Sequence, residues 1–116
     1  MTPKPLLRIE GAAVLLTACV LYQHLQGSWL WFGVLLLTPD LSMLGYVVNK
    51  RLGAVLYNLV HTYTAPLLVG SVLWFCERTG HLWLILIWVA HIGFDRLLGY
   101  GLKYETAFKD THLQRV

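Results

Sequence analysis

The stretch LWLILIWVAHIGFDRLLGYGL, residues 82–102, decides how this chain folds. Residues 82–90 carry no charge, and the second half then brings His91, Asp95 and Arg96 in among Ile, Gly, Phe and Leu. As an α-helix these 21 residues rise about 30 Å, the thickness of bilayer hydrocarbon. Lipid offers the backbone no hydrogen bonds, so a spanning segment closes them internally as a helix. The reading is therefore a transmembrane helix that is purely apolar at one end and carries ionisable groups toward the other.

Three further apolar stretches of similar length precede it, at about 6–25, 29–48 and 52–76. They are separated by short polar breaks, Gln26-Gly27-Ser28, Asn49-Lys50-Arg51 and Glu77-Arg78-Thr79-Gly80-His81. Loops this short join neighbouring helices that run in opposite directions. Alternating patterns of the kind a membrane β-barrel needs are absent. The expected fold is all-α, an antiparallel bundle of four transmembrane helices over residues 1–103, followed by a polar cytosolic tail over 104–116.

Composition agrees. Apolar residues make up 57% of the 116 and charged residues only 13%, about half the charged share of an ordinary soluble domain. A soluble chain of this length has no core large enough for so much apolar surface. The net charge of +3 does not point to nucleic acid, because the basic residues flank apolar runs instead of forming a stripe on a polar domain. Cys19 and Cys76 show no CxxC or zinc-finger spacing and read as small apolar residues. Residues 11–22 have the length of a signal-peptide core, but Gln23-His24-Leu25-Gln26 offers no small-x-small cleavage site, so the first helix is expected to be retained.

Charge sets the orientation. With four crossings, Lys4, Arg8, Lys50, Arg51, Lys103, Lys109 and Arg115 fall on the side of the two termini, and Arg78 alone falls opposite. Basic residues near helix ends stay in the cytosol, so both termini are expected there. Trp29, Trp31, Trp74 and Trp83 gather at the opposite interface, as an aromatic belt does.

An ionisable side chain inside a span costs roughly 2.5–3.5 kcal/mol on insertion scales, and it normally faces the bundle interior. This chain has Glu10, Asp40, His61, His91, Asp95 and Arg96, with Asn58 as a neutral companion. Counted from the cytosolic ends at 1.5 Å per residue, Asp40, His61 and Asp95 reach one depth, and His91 lies one turn deeper. His91 and Asp95 share a helix face at i and i+4, as do Tyr57 and His61. Two histidines and two aspartates converging from three helices match the ligand chemistry of zinc, iron or manganese. Asp40, His61, His91 and Asp95 are the expected ligands, with Glu10 or Asp40 as catalytic base and Tyr57 and Asn58 in support. The bland alternative is polar glue between helices.

Pro39 removes a helix hydrogen bond just ahead of Asp40, and Pro66 is placed to kink the third helix one turn beyond His61. Arg96, Tyr100 and Lys103 form a stripe climbing toward the cytosol, suited to an anionic head group or to simple snorkelling.

Several runs together resemble a known family: Arg8-Ile9-Glu10-Gly11, Pro39-Asp40-Leu41-Ser42-Met43-Leu44-Gly45-Tyr46, Tyr57-Asn58-Leu59-Val60-His61-Thr62-Tyr63, and residues 91–104 from His91 to Tyr104. The chain is similar over nearly its whole length to small bacterial membrane proteins catalogued as domain of unknown function 4260. The resemblance implies a multi-pass protein of the bacterial inner membrane and no activity. It also draws attention to the tail, where His112 and Asp110 share the cytosolic side with the polar cluster and are expected to fold back over it.

Four functions remain open on the sequence. The first is a metal-dependent hydrolase acting on a lipid-like substrate. The second is a proton- or ion-coupled transporter, for which four helices without an inverted repeat would need a homodimer. The third is a haem protein with His61 and His91 as axial ligands, and the fourth a membrane scaffold. Membrane lipids are the expected partners in each.

Overall fold

The computed structural model of the chain describes residues 3–102 and Leu113. Every regular element among these residues is helical. Helix α1 runs Pro3–His24 and α2 Trp29–Leu35, and a 3₁₀ segment follows over Thr38–Val47. Helix α3 covers Lys50–His61, α4 Thr64–Phe75 and α5 Leu82–Leu98, the last preceded by a 3₁₀ turn at Thr79–His81. By length and composition three helical stretches suffice to cross a membrane, or four if α3 and α4 form one bent span. Apolar helices of this kind are compatible with a membrane protein.

Helix α1 lies along α5, and glycine makes the approach close. A Cβ on Gly11 would come within 2.5 Å of the Arg96 Cβ and 2.7 Å of the Gly93 carbonyl oxygen. Above this crossing Ala18, Tyr22, Phe32, Ile87 and Ala90 form the buried core between α1, α2 and α5. Tyr22 fixes the first loop, donating through its hydroxyl to the Ser28 carbonyl at 2.5 Å while Trp29 and Phe32 pack edge-on against its ring. Large side chains such as Leu16, Leu30, Val47, Leu67 and Phe75 stay exposed, as they would on a surface solvated by lipid tails.

Two of the expected helices are interrupted, and both interruptions matter. The second one, read as a single helix over 29–48, changes character at Leu36. Pro39 has no N–H to give the Leu35 carbonyl, and the Thr38 hydroxyl donates there instead. The Asp40 N–H bonds Leu37, three residues back, at 3.0 Å, and the chain continues in the tighter 3₁₀ winding to Val47. The third helix bends by 48° between α3 and α4. Thr62 leaves the helix in extended conformation, and Pro66 then sits in the first turn of α4, where a missing N–H costs nothing. The last helix stops at Leu98, short of residue 102, because Gly99 turns left-handed (φ 95°) and caps it. The tail expected over 104–116 lies outside the described residues except for Leu113, which is helical and fully buried.

Candidate metal centre

The two interruptions deliver side chains to one point. Asp40 comes from the start of the 3₁₀ segment, His61 from the last residue of α3, and His91 and Asp95 from one face of α5. One ligand atom from each lies within 4.8 Å of the others. His61 Nε2 is 3.0 Å from His91 Nε2, 3.1 Å from Asp40 Oδ1 and 3.5 Å from Asp95 Oδ2. His91 Nε2 is 3.1 Å from Asp40 Oδ1 and 3.2 Å from Asp95 Oδ2. Five of the six edges of this tetrahedron therefore measure 3.0–3.5 Å. Zinc holds nitrogen and oxygen at about 2.0–2.1 Å, which for a tetrahedron means edges of about 3.3–3.4 Å.

Protons make the same case. His61 Nδ1 lies 2.9 Å from the Tyr57 carbonyl, which only accepts, so the hydrogen resides on Nδ1. In the neutral ring Nε2 then presents a lone pair, and it faces two carboxylate oxygens and a second imidazole nitrogen. A neutral His91 carries at most one proton on Nε2, so the five close contacts of this buried place share at most one hydrogen unless protons or a cation are added. The side chains of His61 and His91 are 0% and 1% exposed and that of Asp95 12%, whereas Asp40 keeps 31%. The open side of the cluster is thus the Asp40 side.

Tyr57 orders His61 in two ways. Its ring stacks on His61 at 3.7 Å and 6°, and its carbonyl takes the His61 Nδ1 proton. Partners of this kind fix ring orientation and charge in known metal sites. His91 Nδ1, by contrast, is buried, and makes no hydrogen bond of good geometry among the described residues although the Leu36 backbone lies beside it.

Arg96 stands beside the cluster. Its guanidinium donates to the His61 carbonyl at 2.8 Å and to the Tyr100 carbonyl at 3.1 Å, and lies 5.8 Å from the Tyr63 ring centre. It thereby satisfies a carbonyl at the broken end of α3, which has no further helix turn to bond it. Tyr100 is exposed through its side chain. Glu10 is exposed on α1 and lies outside the four-residue group. Asn58 is half-buried, and its carbonyl accepts the Thr62 N–H at 3.1 Å. Lys103 and His112 fall outside the described residues.

One neighbour went unnoticed in the sequence. Trp88 donates from Nε1 to the Val60 carbonyl at 2.7 Å, pinning the residue before His61 to α5. The signal for it was position: the other tryptophans read as interfacial, whereas Trp88 is central in its span.

A chemical reading of the cluster is limited to what the four groups can do. Two imidazoles and two carboxylates suit a divalent transition ion, and its charge would balance the two aspartates. No curated protein and no solved structure matches the chain. A family model does, over residues 4–116, and the chain belongs to that family, described as a domain of unknown function (DUF4260).

Proposed function

We propose that this protein is a multi-pass membrane metalloprotein, with four spans and both termini cytosolic, that hydrolyses a lipid-like substrate in the bacterial inner membrane. His61, His91 and Asp95 are the permanent ligands of one zinc, iron or manganese ion. Asp40, the most exposed of the four and carried by the 3₁₀ segment, occupies the exchangeable corner and serves as base. Catalytic metal sites keep three protein ligands and one position for water, whereas four fixed ligands close the site. The observation that carries this reading is the set of five ligand-to-ligand distances at 3.0–3.5 Å among buried side chains.

An ion held by His61, His91 and Asp95 would supply Lewis acidity at the open corner, making water there a better nucleophile. Asp40 takes the proton released as the water oxygen bonds to the acyl carbon, and returns it to the leaving oxygen as the bond from carbon to that oxygen breaks. Glu10 and Arg96–Tyr100–Lys103 belong to the cytosolic end, where a polar head group would leave.

Elemental analysis of protein purified in detergent tests the assignment. Close to one equivalent of transition metal, lost in both His61→Ala and Asp95→Ala variants that remain folded, is the expected result. Metal-free wild-type protein that stays metal-free after incubation with zinc, manganese or ferrous ion would reduce the cluster to polar glue between helices.

A further inference from the structure

A groove of about 380 Å3 runs along the apolar flank of the cluster, lined by Leu35, Pro39, Val60, Leu84, Ile87 and Trp88, with Thr38 at its edge. Its walls are chain neighbours of three of the four clustered residues. Pro39 precedes Asp40, Val60 precedes His61, and Ile87 lies one turn before His91 on α5. None of the four lines the groove itself, which therefore lies beside the cluster, one residue away along the chain at Asp40 and at His61.

Its chemistry restricts what can lie in it. The two side-chain donors in the wall are already used: the Thr38 hydroxyl donates to the Leu35 carbonyl, and Trp88 Nε1 donates to the Val60 carbonyl. Pro39 has no N–H at all. A polar occupant would exchange its hydration for side chains with no donor to offer, whereas hydrocarbon loses nothing there. The neighbouring cluster offers the reverse, two imidazoles and two carboxylates. An occupant that satisfies both has a polar head and an apolar chain.

We infer that the groove seats one acyl chain of the substrate, with its head group at Asp40, His61, His91 and Asp95. This rests on the hydrolase reading for the role of the head and extends it to the tail. From His91 to Leu84 the helix rises about 10 Å, so the groove holds a chain of medium length or the head-proximal part of a longer one. Leu84, at the far end and 39% exposed, sets the limit.

Octanoic acid carrying a terminal diazirine tests this on the full-length protein with its metal, in detergent, with the labelled residues mapped by mass spectrometry. Label is expected on Leu84, Ile87 or Trp88. Leu84→Trp fills the far end and should lower that label about tenfold, the worth of roughly two excluded methylenes. Leu84→Ala should keep it, and Val69→Trp, on an exposed face of α4, should change nothing. Label scattered over exposed residues such as Leu67 and Phe75, or groove label unaffected by Leu84→Trp in protein that retains its metal, would overturn the assignment. Groove label in a preparation that binds no transition metal would uphold the acyl seat and reject the hydrolase.

Discussion

Removal of the His61 imidazole is the sharpest test of the cluster as a metal centre. His61 Nε2 lies 3.0, 3.1 and 3.5 Å from the other three groups, and its side chain is fully buried, so its loss opens one corner of the tetrahedron completely. An ion bound only by the folded chain stabilises it by about 2.7 kcal/mol at one hundred times its dissociation constant. With an unfolding entropy of roughly 2.1 cal/mol/K per residue, a chain of 116 residues should lose about 10 °C in melting temperature when the ion is withdrawn. The assay is thermal unfolding in detergent, followed by circular dichroism with and without a chelator. Wild-type protein should show the chelator-dependent loss and His61→Ala should not, its melting temperature already lying near the stripped value. His24→Ala, at the exposed end of α1, and His81→Ala, in the exposed 3₁₀ turn before α5, should behave as wild type. An equal chelator effect in His61→Ala, or none in metal-loaded wild type, would refute the reasoning.

Tyr57→Ala removes the ring stacked on His61 and should weaken metal binding 10–100-fold by competition with a chromophoric chelator. Arg96→Lys cannot span the carbonyls of His61 and Tyr100 together; losing one charged hydrogen bond should cost about 1.5–3 kcal/mol, read as a lower melting temperature. Gly11→Ala forces α1 away from α5 and should destabilise by about 1–3 kcal/mol, measured the same way. A membrane-impermeant thiol reagent should label Cys76, exposed beside the α4–α5 loop, in intact cells. A Lys4→Cys substitution in a Cys76→Ser background should be labelled only after permeabilisation, and labelling of both from outside would overturn the topology.

The apolar runs were legible because bilayer thickness imposes a length that hydropathy reports directly. The cluster of four polar residues was legible for a related reason. Charged and imidazole side chains are expensive in a span, so Asp40, His61, His91 and Asp95 stood out against leucine and valine. The 3₁₀ winding of Thr38–Val47 was not legible, since hydropathy cannot tell one helical pitch from another; Pro39 marked where the change begins but not how far it extends. Pro66 marked the bend after His61. The use of Arg96 on backbone carbonyls was hidden, because the carbonyls it meets are free only once α3 has ended at His61. Trp88 acts through a contact between elements far apart in sequence, which periodicity along one helix does not reveal.

The placement of the four clustered residues has a consequence for biosynthesis. Asp40 and His61 are made first, and their partners His91 and Asp95 arrive together on the last helix, more than a turn before its Gly99 cap. Until α5 has entered the bilayer, a carboxylate and an imidazole lie in lipid without their counterparts, at the very points where the backbone leaves regular α-helix. An incomplete chain is therefore marked as unfinished by its own chemistry, and insertion of α5 converts that exposed polarity into the closed centre of the finished protein.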